Sequence, residues 1–172
     1  MRLSLFFLLL LLFACRQSTP QSRPALQTPE LDQRITQILS FSVPLISTDS
    51  FTQIQDQCLL LDARSADEFN TSHLPNAQRL TSPSLNTPLL QTLDRDNPIV
   101  IYCTVGYRSE KLGVKLQQLG FTKVFNLYGS IIEWANQGRP LVDQNGQDTR
   151  KVHVHSKRWS KWLIEGQAEG VW

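Results

Sequence analysis

The chain has 172 residues, which is enough for one ordinary domain with short tails. Hydrophobic residues make up 41% of it, the proportion of a globular protein, so the chain can form a packed core. The formal net charge is only +2, which argues against a nucleic-acid-binding tail, and we expect no nucleic-acid partner.

The first fifteen residues predict export. Residues 5–13 are all Leu or Phe and follow a single positive charge at Arg2. This run has the length of a signal-peptide core and is too short to span a bilayer. Ala14 and Cys15 then resemble a bacterial lipobox, whose Cys becomes the lipidated N-terminus. We therefore expect a signal peptide over 1–14 and a lipid anchor on Cys15, which would hold the protein on a bacterial membrane in the cell envelope, outside the cytoplasm. An ordinary signal peptide cut near Ala14 remains the alternative.

A tether and a helix are predicted next. Residues 15–29 are rich in Pro, Ser, Thr and Gln, a composition that indicates a flexible link between lipid and domain. Leu31, Ile35 and Ile38 recur at helical spacing, so a leading amphipathic helix is expected over 30–40. The compact domain is predicted to cover 30–142.

The middle of the chain alternates short apolar runs with helical patterns. Continuous apolar runs are typical of parallel strands that are covered on both faces. The alternation predicts an α/β fold with a mainly parallel central sheet flanked by helices. In chain order the predicted elements are strand 43–46, helix 47–55, strand 58–61, helix 65–70, strand 79–80, helix 84–94, strand 99–102, helix 108–119, strand 124–127 and helix 131–137.

One strand leads into a group of residues that indicates sulfur chemistry. The strand at 99–102 runs into Cys103, a short loop containing Gly106, then Arg108 and a helix. Cys103 thus lies at the carboxyl end of a parallel strand, where open α/β sheets bind ligands. Loop N–H groups and the helix N-terminus favour negative charge on the sulfur. Gly106 allows the turn that brings these groups together, and Arg108 adds a fixed cation.

Three motifs resemble those of single-domain rhodaneses. Residues 103–109, CTVGYRS, are similar to the family's Cys-x-x-Gly-x-Arg-Ser active-site loop. Residues 60–77 carry its Asp-x-Arg, Glu-Phe and His-x-Pro features, and residues 129–140 resemble its Gly-x-x-x-Trp and Gly-x-Pro ending. In family order the three motifs cover about residues 46–142, so the resemblance implies a rhodanese-like α/β domain.

The resemblance departs from the family pattern at three positions. Ser72 and Asn76 replace the two usual glycines around the His-x-Pro feature, and Ser130 stands where a second Gly is common. Asn tolerates a positive φ better than most residues, whereas Ser72 would be strained if its site required one. The loop between Cys103 and Arg108 is also shorter than in cysteine phosphatases, which suits one sulfur atom better than a phosphate.

The resemblance implies a sulfurtransferase that needs no metal or organic cofactor. Cys103 would take sulfane sulfur from thiosulfate or a persulfide, carry it as a persulfide, and pass it to a thiol, cyanide or a similar acceptor. The alternative is a non-catalytic rhodanese module that senses sulfur species or docks a partner. We expect a monomer that acts on small sulfur donors and thiol acceptors.

The same resemblance assigns roles to individual residues. Arg108 is the second catalytic residue. The predicted substrate-binding residues are Thr104, Val105, Gly106, Tyr107 and Ser109. The predicted structural support of the loop is an ion-pair network of Asp62, Arg64 and Glu68, with His73 in a hydrogen-bonding role. Because Arg108 is the only charged side chain of the loop, we expect persulfides or polysulfides to be better donors than dianionic thiosulfate.

Cys58 is predicted to be a core residue. It begins one parallel strand while Cys103 follows the end of another, so the two lie about 13 Å apart at the usual rise per residue. A disulfide requires Cα atoms within roughly 7 Å, so we expect no bridge between them.

The C-terminal extension, 143–172, combines basic residues with tryptophans. His153 and His155 would share one strand face, but two ligands without a third are weak evidence for a metal, and no metal is expected. Trp159 and Trp162 stand beside cations, which suits a lipid headgroup interface. The alternative, which we favour, is an extension that wraps the domain.

Overall fold

The computed structural model describes residues 23–81 and 87–172, so the predicted signal peptide, Cys15 and the first part of the tether lie outside the described residues. A five-stranded parallel sheet forms the centre. Its strands, in chain order, are β1 (Leu45–Ile46), β2 (Leu59–Asp62), β3 (Gln78–Arg79), β4 (Ile99–Tyr102) and β5 (Val124–Leu127). They lie side by side in the order β1-β5-β4-β2-β3, which places β4 at the centre. The predicted α/β architecture with a parallel sheet is confirmed.

Helices connect and cover these strands. They are α1 (Pro29–Thr36), α2 (Thr48–Ile54), α3 (Ala66–Thr71), α4 (Pro88–Thr92), α5 (Tyr107–Gln118) and α6 (Ser130–Asn136), with a 3₁₀ turn over Gln55–Gln57. Polar caps start several of them. Ser47 Oγ accepts the Ser50 N–H at the start of α2, and Ser65 and Glu68 form a reciprocal capping box on α3.

The structure differs from the sequence prediction mainly at element ends. The edge strand β1 covers only Leu45–Ile46, because the ladder that it forms with β5 has just those two pairs. Strand β3 is Gln78–Arg79 rather than 79–80. Helix α4 is Pro88–Thr92, with Thr87 as its capping residue, and ends two residues before the predicted end at 94. Residues 84–86 of the predicted helix lie outside the described residues.

Two apolar layers cover the two faces of the sheet. In β4, Val100 and Tyr102 belong to one layer and Ile99 and Ile101 to the other, as the two-residue period of a strand requires. All four are completely buried. Because β4 is covered on both faces and paired on both edges, its carboxyl end is a rigid platform for the residue that follows, Cys103.

The C-terminal extension packs onto the first layer. It contains β6 (Lys151–His153), α7 (Lys157–Ser160) and β7 (Glu169–Val171), and β6 and β7 form a small parallel sheet. Val152 and Val154 are completely buried in the layer that contains Val100. The extension therefore shares the core of the domain.

The two tryptophans at 159 and 162 also contact this core. Both are partly buried and pack against the same apolar layer. The side chain of Asn136 in α6 holds the segment by donating to the Trp162 carbonyl and accepting the Ile164 N–H, each at 2.8 Å. This packing favours the wrapping interpretation over the headgroup interpretation. Within residues 23–81 and 87–172, no helix is long and apolar enough to cross a membrane.

Candidate active site

Cys103 directly follows the central strand β4 and is almost completely buried, with 1% of its surface exposed. Its Sγ accepts a hydrogen bond from the Gly106 N–H at 3.2 Å. Its own N–H donates to Ser130 Oγ at 3.2 Å, and its carbonyl accepts the Ile131 N–H at 3.2 Å. The sulfur therefore lies in a fixed position, facing a backbone donor that stabilises negative charge.

The turn at Gly106 creates that donor geometry. Gly106 has φ +106°, in the left-handed region that favours glycine. Asn126 Nδ2 donates to its carbonyl at 3.0 Å. Ser109 Oγ lies 3.0 Å from the same carbonyl and 2.7 Å from Asn126 Oδ1. These contacts from α5 and β5 hold the Gly106 carbonyl, on the side of the residue opposite to the N–H that faces the sulfur.

Ser109 supports the loop from below in this structure. It is completely buried and its hydroxyl is engaged by Asn126 and the Gly106 carbonyl. These contacts describe a supporting role, and substrate binding by Ser109 stays a prediction. Gly106 contributes its N–H to Cys103 itself.

Arg108 forms an ion pair at the rim of the loop. Its two terminal nitrogens donate to the two Glu68 carboxylate oxygens at 2.7 and 2.6 Å, and one of them also donates to Thr104 Oγ1 at 2.9 Å. The Arg108 side chain is 33% exposed. Burial by itself raises the pKa of Glu68, but hydrogen bonds from Arg108 and the Ser65 N–H outweigh it and hold the pKa at about 2. The pair thus fixes both ends of the loop on α3.

A second ion pair lies deeper. Arg64 donates from Nε and Nη2 to the Asp62 carboxylate and from Nη2 to the Ser72 carbonyl, and neither side chain of the pair is exposed. The hydrogen bonds of this pair and those of Glu68 and Arg108 share no member. The predicted network thus consists of two hydrogen-bonded pairs, because β2 directs Asp62 inward whereas α3 presents Glu68 to the loop, and the charges of Arg64 and Glu68 still interact between the pairs.

The backbone explains the departures from the family pattern. Ser72 has an extended φ of −168° and so needs no glycine. Asn76 has φ +64° and Ser130 has φ +53°, both left-handed. Ser130 uses its hydroxyl to accept the Cys103 N–H. The roles of Ser130 and Asn126 at the loop were not predicted, because neither residue is adjacent to Cys103 in sequence.

His73 is placed away from the sulfur by its contacts. Its ring stacks on Phe69, with centroids 3.9 Å apart, and its Nδ1 lies 3.0 Å from the Phe69 carbonyl oxygen. Its backbone pairs with Val142. These contacts join α3 to Val142, the residue before the C-terminal extension.

A pocket of about 400 Å³ opens at the sulfur. The loop contributes Cys103, Thr104, Val105, Tyr107 and Arg108 to its lining. Three further residues come from outside the loop, namely Ile38 after α1 and His155 and Trp159 in the extension. The pocket therefore combines the Cys103 loop with side chains from before and after the domain's central sheet, and its lining is mainly apolar.

The remaining cysteine and histidine candidates do not form a second site. Cys58 and Cys103 are both free thiols. Burial and the charge of Asp56 raise the pKa of Cys58 to about 11. The prediction that His153 and His155 share a strand face is wrong, because β6 ends at His153 and His155 adopts φ +65°. The part of the chain that the structure describes contains no group of three or more His, Cys, Asp or Glu side chains that could hold a metal ion.

Sequence comparisons match the chain to a known domain family. The rhodanese-like domain family matches residues 47–137. A sulfurtransferase of Allochromatium vinosum is 36% identical over 92 residues, which cover 53% of this chain and 84% of the relative. A tRNA uridine(34) hydroxylase of Escherichia fergusonii is 33% identical over 86 residues, but these cover only 25% of that longer protein and 47% of this chain.

Solved structures share the fold. A crystal structure of a Bacillus halodurans protein superposes with a TM-score of 0.54 at 20% identity and covers 69% of this chain and 89% of its own. A polysulfide-sulfur transferase homodimer of Wolinella succinogenes gives a TM-score of 0.51 at 22% identity, with 67% and 88% covered. The family match spans more than half of the chain and includes the Cys103 loop, so this protein belongs to the rhodanese-like domain family.

Proposed function

We propose that this protein is a sulfurtransferase that carries sulfane sulfur as a persulfide on Cys103. The single observation that carries the proposal is the Gly106 N–H directed at Cys103 Sγ, 3.2 Å away, at the carboxyl end of the central strand. A donor in this position stabilises an anionic sulfur. The similarity to the Allochromatium sulfurtransferase supports the same reaction class.

The reaction divides into two displacements. The Cys103 thiolate attacks the sulfane sulfur of the donor, a new S–S bond forms, and the donor's own bond to that sulfur breaks with its electron pair leaving on the donor remainder. In the second step a thiolate or cyanide attacks the outer sulfur of the persulfide. The Cys103–sulfur bond then breaks, the thiolate is restored, and the acceptor leaves as a persulfide or thiocyanate.

The charge balance of the loop supports persulfides and polysulfides over thiosulfate as donors. Arg108 is the only cation of the loop, and both Glu68 oxygens neutralise it at 2.6 and 2.7 Å. A dianionic donor therefore gains little electrostatic attraction from Arg108. A monoanionic persulfide depends less on such attraction. The test is kcat/KM for glutathione persulfide and for thiosulfate with the same acceptor. A higher value for thiosulfate would contradict this donor preference.

A second candidate function is a non-catalytic module that binds sulfur species. The 1% exposure of Cys103 favours it, because a buried sulfur limits access for an acceptor. The two candidates differ in turnover. A sulfurtransferase discharges its persulfide when cyanide or a thiol is added, whereas a sensing module retains the sulfur. We place the enzyme first because the pocket opens at Cys103.

We also propose that a lipid on Cys15 holds the protein in the bacterial cell envelope, where it acts as a monomer. The apolar run 5–13 and the Ala14-Cys15 pair support the anchor. The test is incorporation of a labelled fatty acid in cells that express the full chain. We expect labelling of the wild type and none of Cys15→Ser, and a wild-type chain without label would overturn the anchor. Sedimentation of the purified protein tests the monomer.

A further inference from the structure

Part of the pocket wall around Cys103 comes from outside the segment that the family matches. The match ends at residue 137 and begins at 47, whereas Ile38 precedes it and His155 and Trp159 follow it. We call these three residues the outer wall. Because the outer wall is not part of the matched domain, it is a feature of this chain that the family assignment does not explain.

The leading segment is fixed to the helix that begins in the active-site loop. The Glu110 carboxylate of α5 accepts the N–H groups of Ser40 and Ser42 at 2.9 and 2.8 Å. Leu39 is buried and lies beside Gly106. Ile38 is therefore held against the same loop that positions the sulfur.

The extension is fixed equally firmly. Val152 and Val154 are completely buried in the apolar layer of the domain. Trp159 packs against that layer in α7, and Asn136 holds the following turn through the Trp162 carbonyl and the Ile164 N–H. His155 N–H donates to His153 Nδ1 at 3.1 Å. The outer wall is thus a packed surface rather than a loose tail.

The outer wall is mainly apolar, with His155 as its polar member. Ile38 and Trp159 provide an aliphatic and an aromatic surface, which Val105 and Tyr107 continue on the loop side. Arg108 is neutralised by Glu68. The outer wall therefore adds no strong attraction for an inorganic anion to that of the loop. A volume of about 400 Å³ is within the range of roughly 300–1,000 Å³ that is usual for sites of organic ligands.

We propose that the outer wall makes this site selective for donors whose sulfane sulfur is bonded to an apolar body of about the size of an aromatic ring, and that Trp159 is the specificity-determining residue. This inference rests on the sulfur-transfer function proposed above. The apolar body would leave water and bury against Ile38 and Trp159 while its sulfane sulfur reaches Cys103. Burial of an apolar surface contributes binding in proportion to its area.

A matched pair of donors tests the selectivity. Benzenethiosulfonate and methanethiosulfonate carry the same charge and the same sulfane sulfur and differ in the apolar body. In each case the Cys103 thiolate takes the sulfane sulfur, the bond to the sulfonyl sulfur breaks, and a sulfinate leaves with the electron pair. Cyanide then removes the outer sulfur as thiocyanate, which is measured.

The readout is the ratio of kcat/KM for the aromatic donor to that for the methyl donor. We expect Trp159→Ala to lower this ratio about tenfold, because one aromatic contact and its buried area are lost. Trp159→Phe should retain most of the preference. The matched control is Trp172→Ala, since Trp172 is 59% exposed and is not part of the pocket lining. Its ratio should equal that of the wild type.

The two proposals fail in different ways. An unchanged ratio in folded, active Trp159→Ala overturns the selectivity and leaves the sulfurtransferase intact. If the wild type transfers sulfur from neither donor, the proposed sulfurtransferase function is wrong. Calorimetric titration with benzenesulfinate then still tests whether the outer wall binds an aromatic body. Weaker binding of benzenesulfinate by Trp159→Ala than by Trp172→Ala supports the proposed selectivity of the outer wall. Equal binding by the two variants, or no binding by the wild type, overturns it.

Discussion

The two parts of the Cys103 pocket are held in place by different kinds of interaction. The loop of residues 103–109 is held by directed hydrogen bonds. The Gly106 N–H donates to Cys103 Sγ, and Arg108 donates to the Glu68 carboxylate. The outer wall of Ile38, His155 and Trp159 is largely apolar and is held by packing onto the core.

This difference indicates a division of labour. Directed donors around Cys103 determine which atom reacts, because charge stabilisation depends on distance and angle. An apolar surface has no such direction and instead favours ligands by size and shape. Changes in the loop should therefore alter sulfur transfer from every donor, whereas changes near the wall should alter the preference among donors.

The largest effect on sulfur transfer is expected from Gly106→Ala. A side chain at φ +106° is strained, so the peptide should rotate and move its N–H away from Cys103 Sγ. Loss of one such donor costs on the order of 100-fold in rate. Steady-state kinetics with both thiosulfonates measures it, and we expect similar losses for both donors. Gly146→Ala is the control, because Gly146 has φ +74° with nothing within 4 Å of an added Cβ, so it should lose stability but retain activity.

A smaller effect is expected from Glu68→Gln. The neutral amide cannot accept hydrogen bonds from both Arg108 nitrogens as the carboxylate does. The loop therefore loses part of its ion pair, while the Gly106 N–H remains in place. We expect kcat/KM to fall roughly tenfold through misplacement of the loop. Wild-type activity in the folded variant would show that the pair has no part in positioning the loop.

Asp62→Asn separates the two ion pairs. It leaves Arg64 buried without its anionic partner, which costs about 3–5 kcal/mol in the free energy of unfolding. Because the Asp62–Arg64 pair shares no hydrogen bond with the Glu68–Arg108 pair, the activity per folded molecule should fall less than in Glu68→Gln. Denaturant unfolding and kinetics on the same samples measure both quantities.

Acid should weaken the Glu68–Arg108 ion pair over a defined pH window. The pKa of Glu68 is lowered from 4.5 to about 2 in the folded protein, so the unfolded chain binds the proton more readily. The contribution of this carboxylate to the free energy of unfolding is therefore complete above about pH 5 and is lost as the pH falls towards 2. Denaturant unfolding of wild type and Glu68→Gln against pH should show a difference that shrinks through this window. A pH-independent difference would contradict the assignment.

The smallest effect is expected from Asn136→Ala, which releases the turn after α7. Two hydrogen bonds to the extension are lost, at about 1 kcal/mol each in the free energy of unfolding. Because Trp159 remains packed on the core, the preference for the aromatic donor should fall only about twofold, within the energy of a weakened contact. The rate with the methyl donor should not change.

The sequence predicted the loop better than the wall. Local patterns identified β4, Cys103, Gly106 and Arg108, because the strand, the turn and the helix start are adjacent in the chain. The supports from Asn126 and Ser130 were not predicted, since Asn126 reaches Gly106 and Ser130 reaches Cys103 only when β5 pairs with β4.

The wall could not be derived from periodicity. His155 was predicted to share a strand face with His153, but β6 ends at His153 and His155, with a positive φ, lies in the pocket lining instead. Trp159 lies 56 positions after Cys103 in sequence, and no local pattern indicates that the extension folds back over the active-site loop.

Mass spectrometry of the purified protein after incubation with a persulfide donor tests the central claim most directly. We predict a mass increase of about 32 Da, one sulfur atom, located on Cys103, absent from Cys103→Ser, and removed by cyanide or a thiol. A folded protein with a free Cys103 thiol that gains no sulfur from persulfide or thiosulfate, or that gains it on Cys58 instead, would contradict the account.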